Sequence, residues 1–168
     1  SNGYAKAVIC NSGNANTCNS NGIEIAEDMC KLVEKATGVN SKDVVVASTG
    51  VIGQKLVIDP IENNIEKLAS LLDYNGSNNA AQAIMTTDTV AKEIAVEFEL
   101  NGKTCHIGGI AKGSGMIHPN MATMLVFITS DVAISPEMLQ KALSSDIADT
   151  FNMISIDGDT STNDMVSV

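Results

Sequence analysis

The residues best suited to chemistry lie in the segment KGSGMIHPNMATML, at positions 112–125. This glycine-rich loop ends on Thr123, which opens an apolar run. A threonine at such a junction can attack the carbonyl of the preceding residue, Ala122, and cut its own chain. The cut would free an α-amine beside the hydroxyl, and that pair is a nucleophile that carries its own base. By spacing alone, Thr123 also fits an ordinary β-branched strand residue.

Two further places offer groups that an acyl-transfer site needs. Thr49 and Gly50 follow the apolar run 44–47, where a hydroxyl and a backbone N–H can hold a developing oxyanion. A plain glycine turn is the alternative. Lys112 lies in the same loop as Thr123 and can bind a carboxylate inside an acidic protein, although a solvated surface lysine is the alternative. His118, one step before Pro119, is either a helper in self-cleavage or an exposed loop histidine.

Composition excludes several classes of function. The net charge is −10, with 20 acidic against 10 basic side chains, which opposes binding to nucleic acid or to an anionic membrane surface. No apolar stretch approaches the roughly 20 residues that cross a bilayer, so we expect a cytoplasmic protein. The four cysteines and two histidines lack zinc-site spacing. Asp157, Asp159 and Asp164 resemble a calcium loop only superficially, because no glutamate closes it, and we expect no metal.

Hydrophobic periodicity predicts the elements that position these groups. Helices are expected over 21–38, 61–72, 78–84 and 135–147, and strands over 5–10, 44–47, 93–100, 123–128 and at 155–156, with a further strand returning from Lys103. Asn101 and Gly102 supply the turn of a hairpin between two of the strands. Because helices and strands alternate around that hairpin, the sequence predicts a layered α/β domain with a mixed sheet.

Five segments in order resemble the signatures of the ornithine acetyltransferase family, the glutamate N-acetyltransferases of arginine biosynthesis. They are NSGNAN at 11–16, STGVIG at 48–53, MTTDT at 85–89, the segment 112–125 and SIDGDTSTND at 155–164. Each segment alone is weak evidence for the resemblance, but the five together span nearly the whole chain. The resemblance implies the family's α/β fold, shared with self-cleaving aminopeptidases.

The resemblance also implies an activity and its residues. The chain would be cut between Ala122 and Thr123, and Thr123 would carry an acetyl group from N-acetylornithine to glutamate. Thr49 and Gly50 map onto the family's oxyanion hole, and Thr86, Lys112 and Thr123 onto its substrate contacts; Thr87 and Thr89 are close enough to Thr86 for an alignment slip. No cofactor is implied, although some members use acetyl-CoA as donor. The expected assembly is a heterotetramer of two alpha and two beta chains.

The chain itself is expected to be one α/β domain over 1–168 from the central part of a longer protein. Residues 1–122 would end the alpha-chain portion and residues 123–168 would start the beta-chain portion, so we expect this piece alone to be inactive or poorly active. Two alternatives stay open: a self-cleaving amidohydrolase or aminopeptidase that passes the acyl group to water, and a non-catalytic module that binds small molecules.

Overall fold

The computed structural model describes residues 3–117 and 124–168, and these divide into two compact units, residues 1–76 and 77–168. The predicted cleavage site, Ala122 and Thr123, and His118 lie outside the described residues. The α/β class with a mixed sheet is confirmed. The single domain over 1–168 stays a prediction. Among the described residues, no helix has the length and apolar character that a bilayer crossing requires.

The first unit is built on two parallel strands joined by a crossover helix. Strands β1 (Ala7–Asn11) and β2 (Val44–Ser48) pair in register, and helix α1 (Gly22–Thr37) connects them, as parallel strands require. Gly38 ends α1 in the left-handed conformation, with its N–H donated to the Glu34 carbonyl at 2.8 Å. The core that holds strand, helix and loop together consists of Ile9, Ile25, Met29, Val33, Leu56 and Ile65.

The predicted helix over 61–72 is wrong as a single element. The structure has α2 (Asp59–Glu62) and α3 (Ile65–Ser70), separated by Asn63 and Asn64. The Asn64 side-chain amide donates to the Pro60 carbonyl at 2.9 Å, and such local bonds are why asparagine disfavours a helix interior. The helical spacing of apolar residues therefore continues through Asn63 and Asn64, although the helix itself is interrupted there.

The second unit is a four-stranded sheet in the order β3-β4-β5-β6, with helices α4 (Ser77–Ala83) and α5 (Pro136–Ile147). Strands β3 (Lys92–Leu100), β4 (Lys103–Lys112) and β5 (Leu125–Ser130) are antiparallel neighbours, and β6 (Met165–Ser167) runs parallel to β5. The hairpin turn is as predicted, since Asn101 and Gly102 both have positive φ. Ser135 caps α5 by accepting the Met138 N–H at 3.3 Å, also as predicted.

Two strand predictions in this unit need correction. Residues 155–156 form no strand; Ile156 donates one backbone bond, to the Ile117 carbonyl at 2.7 Å, and the strand begins instead at Met165. The predicted strand over 123–128 is β5 from Leu125, and its first residue falls outside the described part. Strand β3 itself is as predicted, and its residue Ile94 is 70% exposed.

Candidate functional site

The Thr49 side chain carries an unpaired polar atom. Thr49 follows β2 directly and is fully buried. Its N–H donates to the Asn11 carbonyl at 3.0 Å, but its hydroxyl oxygen has no hydrogen-bond partner among the described residues. Because a buried polar atom without a partner costs about 1–3 kcal/mol, such an atom is a candidate for contact with a ligand. This is the behaviour expected of a donor held ready for an oxyanion.

Gly50 is required by its surroundings. Its φ is +120°, and a Cβ at this position would lie 2.5 Å from the Gly13 carbonyl carbon and 2.7 Å from the Asn14 nitrogen. Both neighbours are backbone atoms, so no side-chain rotation relieves the clash. The simple glycine turn is thus only part of the explanation, because the position also brings two backbone segments closer than any side chain permits.

The first prediction is that Gly50→Ala destabilises the full-length protein by about 2–4 kcal/mol, because it combines backbone strain with a steric clash. The midpoint of urea denaturation measures the change. Gly53→Ala is the matched control: Gly53 also has positive φ, +76°, but an added Cβ meets nothing within 4 Å. We expect it to cost only about 1 kcal/mol. Equal losses in the two variants would contradict the close approach at Gly50.

The asparagine-rich segment supports this loop through hydrogen bonds. The Asn11 amide donates to the Asn14 carbonyl at 2.7 Å, and its oxygen accepts the Ser48 hydroxyl at 2.6 Å. The Asn14 amide in turn donates to the Val51 and Gln54 carbonyls, at 3.2 and 3.0 Å. These bonds hold the backbone around Thr49 and Gly50 in place. They also give the asparagine side-chain amides their hydrogen-bond partners.

In the second unit the structure brings together two of the predicted substrate contacts. Lys112 ends β4 and is 3% exposed, and its ammonium donates to the hydroxyl of the exposed Thr86 at 3.2 Å. The neighbouring Thr87 hydroxyl is hydrogen bonded to that of Ser114 at 2.7 Å instead. Of these two adjacent threonines, it is therefore Thr86 that contacts the lysine. The surface-lysine alternative is wrong, because this side chain is buried.

The charged neighbours of Lys112 offset only part of the effect of its burial. Burial lowers the pKa of Lys112, Asp88 and Asp164 raise it, and Lys92 lowers it further. The net effect is a lowered pKa, so the ammonium gives up its proton more readily than a surface lysine. A ligand carboxylate placed against Lys112 would stabilise its ammonium and offset part of the hydration that burial has removed.

Asp88 is a site residue that sequence reasoning missed. It is 8% exposed, and its carboxylate accepts bonds from the Lys92 ammonium and, at 2.9 Å, from the Gly113 N–H. Burial raises the pKa of Asp88, but the bonds from Lys92 and Gly113 outweigh it, and the pKa lies below its usual value. A signal was present, since Asp88 stands in the motif of Thr86 and four residues before Lys92.

Asp157 and Asp164 were considered only as calcium ligands, and the structure gives them another role. Asp157 accepts the N–H groups of Met116 and Ile117, at 2.5 and 2.8 Å. Asp164 accepts the Met124 N–H at 2.7 Å. Each carboxylate thus accepts hydrogen bonds from backbone N–H groups close to residues 118–123 in the sequence. Within the described residues, no group of three or more histidine, cysteine, aspartate or glutamate side chains is placed to hold a metal ion.

The environment of Asp164 differs from that of Asp157. Burial raises the pKa of Asp164 to about 6, although the Met124 N–H and Lys112 both act to lower it. Asp157 is exposed, and the bonds it accepts from the backbone, chiefly from Met116, lower its pKa. Asp164 therefore changes charge near pH 6, well above an ordinary aspartate, whereas Asp157 becomes ionised at a lower pH than an ordinary aspartate.

The family model and the similar proteins found by comparison all point to the same family. The model of the ArgJ family matches residues 1–168. Glutamate N-acetyltransferase of Methanocaldococcus jannaschii is 55% identical over 166 residues, which are 97% of this chain and 41% of that protein. The arginine biosynthesis bifunctional protein ArgJ of a Synechococcus species is 49% identical over 170 residues, 98% of this chain and 40% of that protein. The chain thus spans about two fifths of the length of these curated relatives.

Two solved structures are also similar. The crystal structure of the arginine biosynthesis bifunctional protein ArgJ from Bacillus halodurans aligns with a TM-score of 0.59 and 42% identity, over 68% of this chain and 61% of that one. Ornithine acetyltransferase from Mycobacterium tuberculosis, complexed with ornithine, aligns with a TM-score of 0.54 and 30% identity, over 67% of this chain and 61% of that one. With a family match across all 168 residues, this chain belongs to the ArgJ family.

Proposed function

We propose that this chain is part of an acyltransferase that moves an acetyl group from N-acetylornithine to glutamate, in the biosynthesis of arginine. The observation that carries the proposal is the pairing of buried Lys112 with the exposed Thr86 hydroxyl, in a chain whose relatives are named as glutamate N-acetyltransferase and as arginine biosynthesis proteins. Both proposed substrates are amino acids with a carboxylate, and a desolvated cation beside a hydroxyl suits that group.

The enzyme activates itself by cutting its own chain. The Thr123 hydroxyl oxygen attacks the Ala122 carbonyl carbon, the peptide C–N bond breaks, and the Thr123 nitrogen takes up the proton. Water then hydrolyses the resulting ester, which leaves a carboxylate on Ala122 and a free amine on Thr123. That amine has a reference pKa of about 8, so near neutral pH a useful fraction is neutral and able to accept a proton.

Acetyl transfer follows in two steps. The Thr123 amine takes the hydroxyl proton as the oxygen attacks the acetyl carbonyl of N-acetylornithine, and the tetrahedral oxyanion is held by the Thr49 hydroxyl and the Gly50 N–H. The C–N bond breaks, ornithine leaves with the proton, and the acetyl group remains as an ester on Thr123. Glutamate's amine then attacks this ester, and the hydroxyl is regenerated.

Lys112 and Thr86 bind rather than react. The lysine ammonium pairs with the substrate carboxylate, and the Thr86 hydroxyl, which already accepts a bond from Lys112, is free to donate its own proton. Asp88 holds the Gly113 N–H and Lys92, and so fixes the backbone directly after Lys112. No organic cofactor or metal takes part in this route, and acetyl-CoA is an alternative donor.

The assembly is part of the proposal. The mature enzyme consists of an alpha chain that ends at Ala122 and a beta chain that begins at Thr123, and two of each form a heterotetramer in the cytoplasm. The partners are therefore the two small-molecule substrates and the protein's own second chain.

The decisive experiment uses the full-length protein with N-acetylornithine, in the presence and absence of glutamate. With glutamate, we expect N-acetylglutamate and ornithine in equal amounts. Without it, release of ornithine should stop after one equivalent per active site, and mass spectrometry should find one acetyl group on the chain that begins at Thr123. This burst is the kinetic signature of a covalent acyl intermediate.

Two results would contradict the proposal in different ways. Steady release of acetate at the same rate with or without glutamate would identify the amidohydrolase alternative, in which water is the acceptor. An unbroken bond between Ala122 and Thr123, with no release of ornithine, would favour the non-catalytic binding module.

A further inference from the structure

One loop of the second unit contacts the chain on both sides of the predicted cleavage segment, residues 118–123. On the upstream side, the Asp157 carboxylate accepts the N–H groups of Met116 and Ile117. On the downstream side, the Asp164 carboxylate accepts the N–H of Met124, the residue that follows Thr123. Both carboxylates come from the loop 155–164, so a single segment holds Met116 and Ile117 on one side of the cleavage segment and Met124 on the other.

Backbone bonds reinforce the same two points. The Ile156 N–H donates to the Ile117 carbonyl at 2.7 Å, and the Met165 N–H donates to the Met124 carbonyl at 2.9 Å. From Leu125 onwards, β5 pairs with β6 in parallel. Ile117 is 4% exposed and Met124 6% exposed, so both attachment points are also packed into the interior. The flanks of the segment are therefore held by hydrogen bonds and by packing at once.

We propose that Asp157 and Asp164 are positioning residues: they hold the backbone of Met116, Ile117 and Met124, which flank the segment 118–123, and acetyl transfer by Thr123 depends on these contacts. The inference rests on the proposed function, since it assigns Thr123 as the nucleophile. A displacement of about 1 Å at a reacting atom can cost about 100-fold in rate, so the precision of these contacts matters for chemistry. The contacts that the two carboxylates make are with backbone N–H groups on either side of the segment.

Asp164 has a property that makes the role measurable. Burial raises its pKa to about 6, and the charged group that acts on it is Lys112, at the end of β4. Asp88 and Lys92 in turn act on Lys112. Above pH 6 the carboxylate is charged and makes a charge-assisted bond to the Met124 N–H; below it, the neutral acid is a weaker acceptor. We therefore expect transfer to decline as Asp164 takes up a proton.

The test is the pH profile of kcat/KM for acetyl transfer by the full-length protein. The wild type should lose activity tenfold per pH unit below about 8, where the Thr123 amine is protonated, and more steeply below about 6. Asp164→Asn keeps the shape of the side chain and an acceptor oxygen but cannot ionise. Because its amide oxygen is uncharged, like the protonated acid, it should transfer at every pH with the reduced efficiency of protonated Asp164 and should lack the steeper limb.

Asp164→Ala removes the acceptor, and we expect transfer to fall about 10-fold to 100-fold at every pH. Asp131→Ala is the matched control, because Asp131 also accepts a backbone N–H in the same sheet, that of His106 at 2.7 Å, away from the segment. It should leave kcat/KM unchanged. If Asp164→Ala does not fold, the profile of Asp164→Asn decides alone, since a steeper limb that persists in this variant overturns the inference.

Failure of this inference can be told apart from failure of the proposed function. A wild-type protein that transfers no acetyl group would remove the proposed function, and the positioning role with it. A wild type that transfers, with a folded Asp164→Ala variant that is equally fast, would overturn the positioning role alone.

Discussion

Replacing Thr123 by alanine is expected to leave the full-length chain uncut and to reduce acetyl transfer by about 10⁴-fold or more, because the change removes both the attacking oxygen and the ester it would carry. Alanine retains the backbone N–H and carbonyl, so the contacts of Met124 with Asp164 and Met165 remain available. The readouts are the mass of the purified chain and the rate of N-acetylglutamate formation. We expect the mass of the uncut chain and no detectable N-acetylglutamate formation in the same preparation.

Two further variants sharpen this result. Thr123→Ser keeps a hydroxyl and should be cut and remain active, which separates chemistry from packing. Thr129→Ala is the matched control, because Thr129 lies in β5 and, among the described residues, its exposed hydroxyl makes just one long bond, 3.4 Å, to the Gly108 carbonyl. It should behave as the wild type. An uncut Thr123→Ala protein that still transfers acetyl would show that another residue is the nucleophile.

The parts of the fold that could be predicted are those with local signals. Helix α1 ends at a glycine with positive φ, the hairpin turns on Asn101 and Gly102, and α5 begins at the cap of Ser135. Each signal is a property of a few adjacent residues. The break between α2 and α3 was missed because apolar spacing continues across Asn63 and Asn64, and spacing does not register what an asparagine side chain does to the backbone.

The site residues that could be predicted are those that lie in recognisable sequence motifs. The resemblance selected Thr86 and Lys112, and the structure brings their side chains to 3.2 Å. The burial of Lys112 was not predictable from its place in a glycine-rich loop, because it depends on the packing of β4 against β5. The supporting aspartates were missed for the same reason, since Asp164 meets Met124 only when β6 pairs with β5.

The second large effect is expected at Thr49. Thr49→Val replaces the hydroxyl by a methyl group of nearly the same size and keeps the N–H that donates to the Asn11 carbonyl. If this hydroxyl stabilises the oxyanion, transfer should fall about 10²-fold to 10³-fold, mainly in kcat, because the lost contact forms only in the transition state. Thr123 would remain able to form the ester, but slowly.

Stability should change in the opposite direction. The Thr49 hydroxyl is buried without a hydrogen-bond partner among the described residues, so in the free protein its removal relieves a cost instead of breaking a bond. We expect Thr49→Val to be as stable as the wild type or more stable, by up to about 1 kcal/mol. Urea denaturation of the full-length protein measures this, and a loss of activity without loss of stability identifies a functional group.

Ser48→Ala provides the contrast one residue earlier. Ser48 is also buried, but its hydroxyl is paired, because it donates to the Asn11 side chain at 2.6 Å. Its removal should therefore destabilise the protein by about 1 kcal/mol while reducing transfer far less than Thr49→Val does. If Thr49→Val instead lowers stability and leaves kcat unchanged, the hydroxyl has a structural partner in solution, and the oxyanion must be held by other donors.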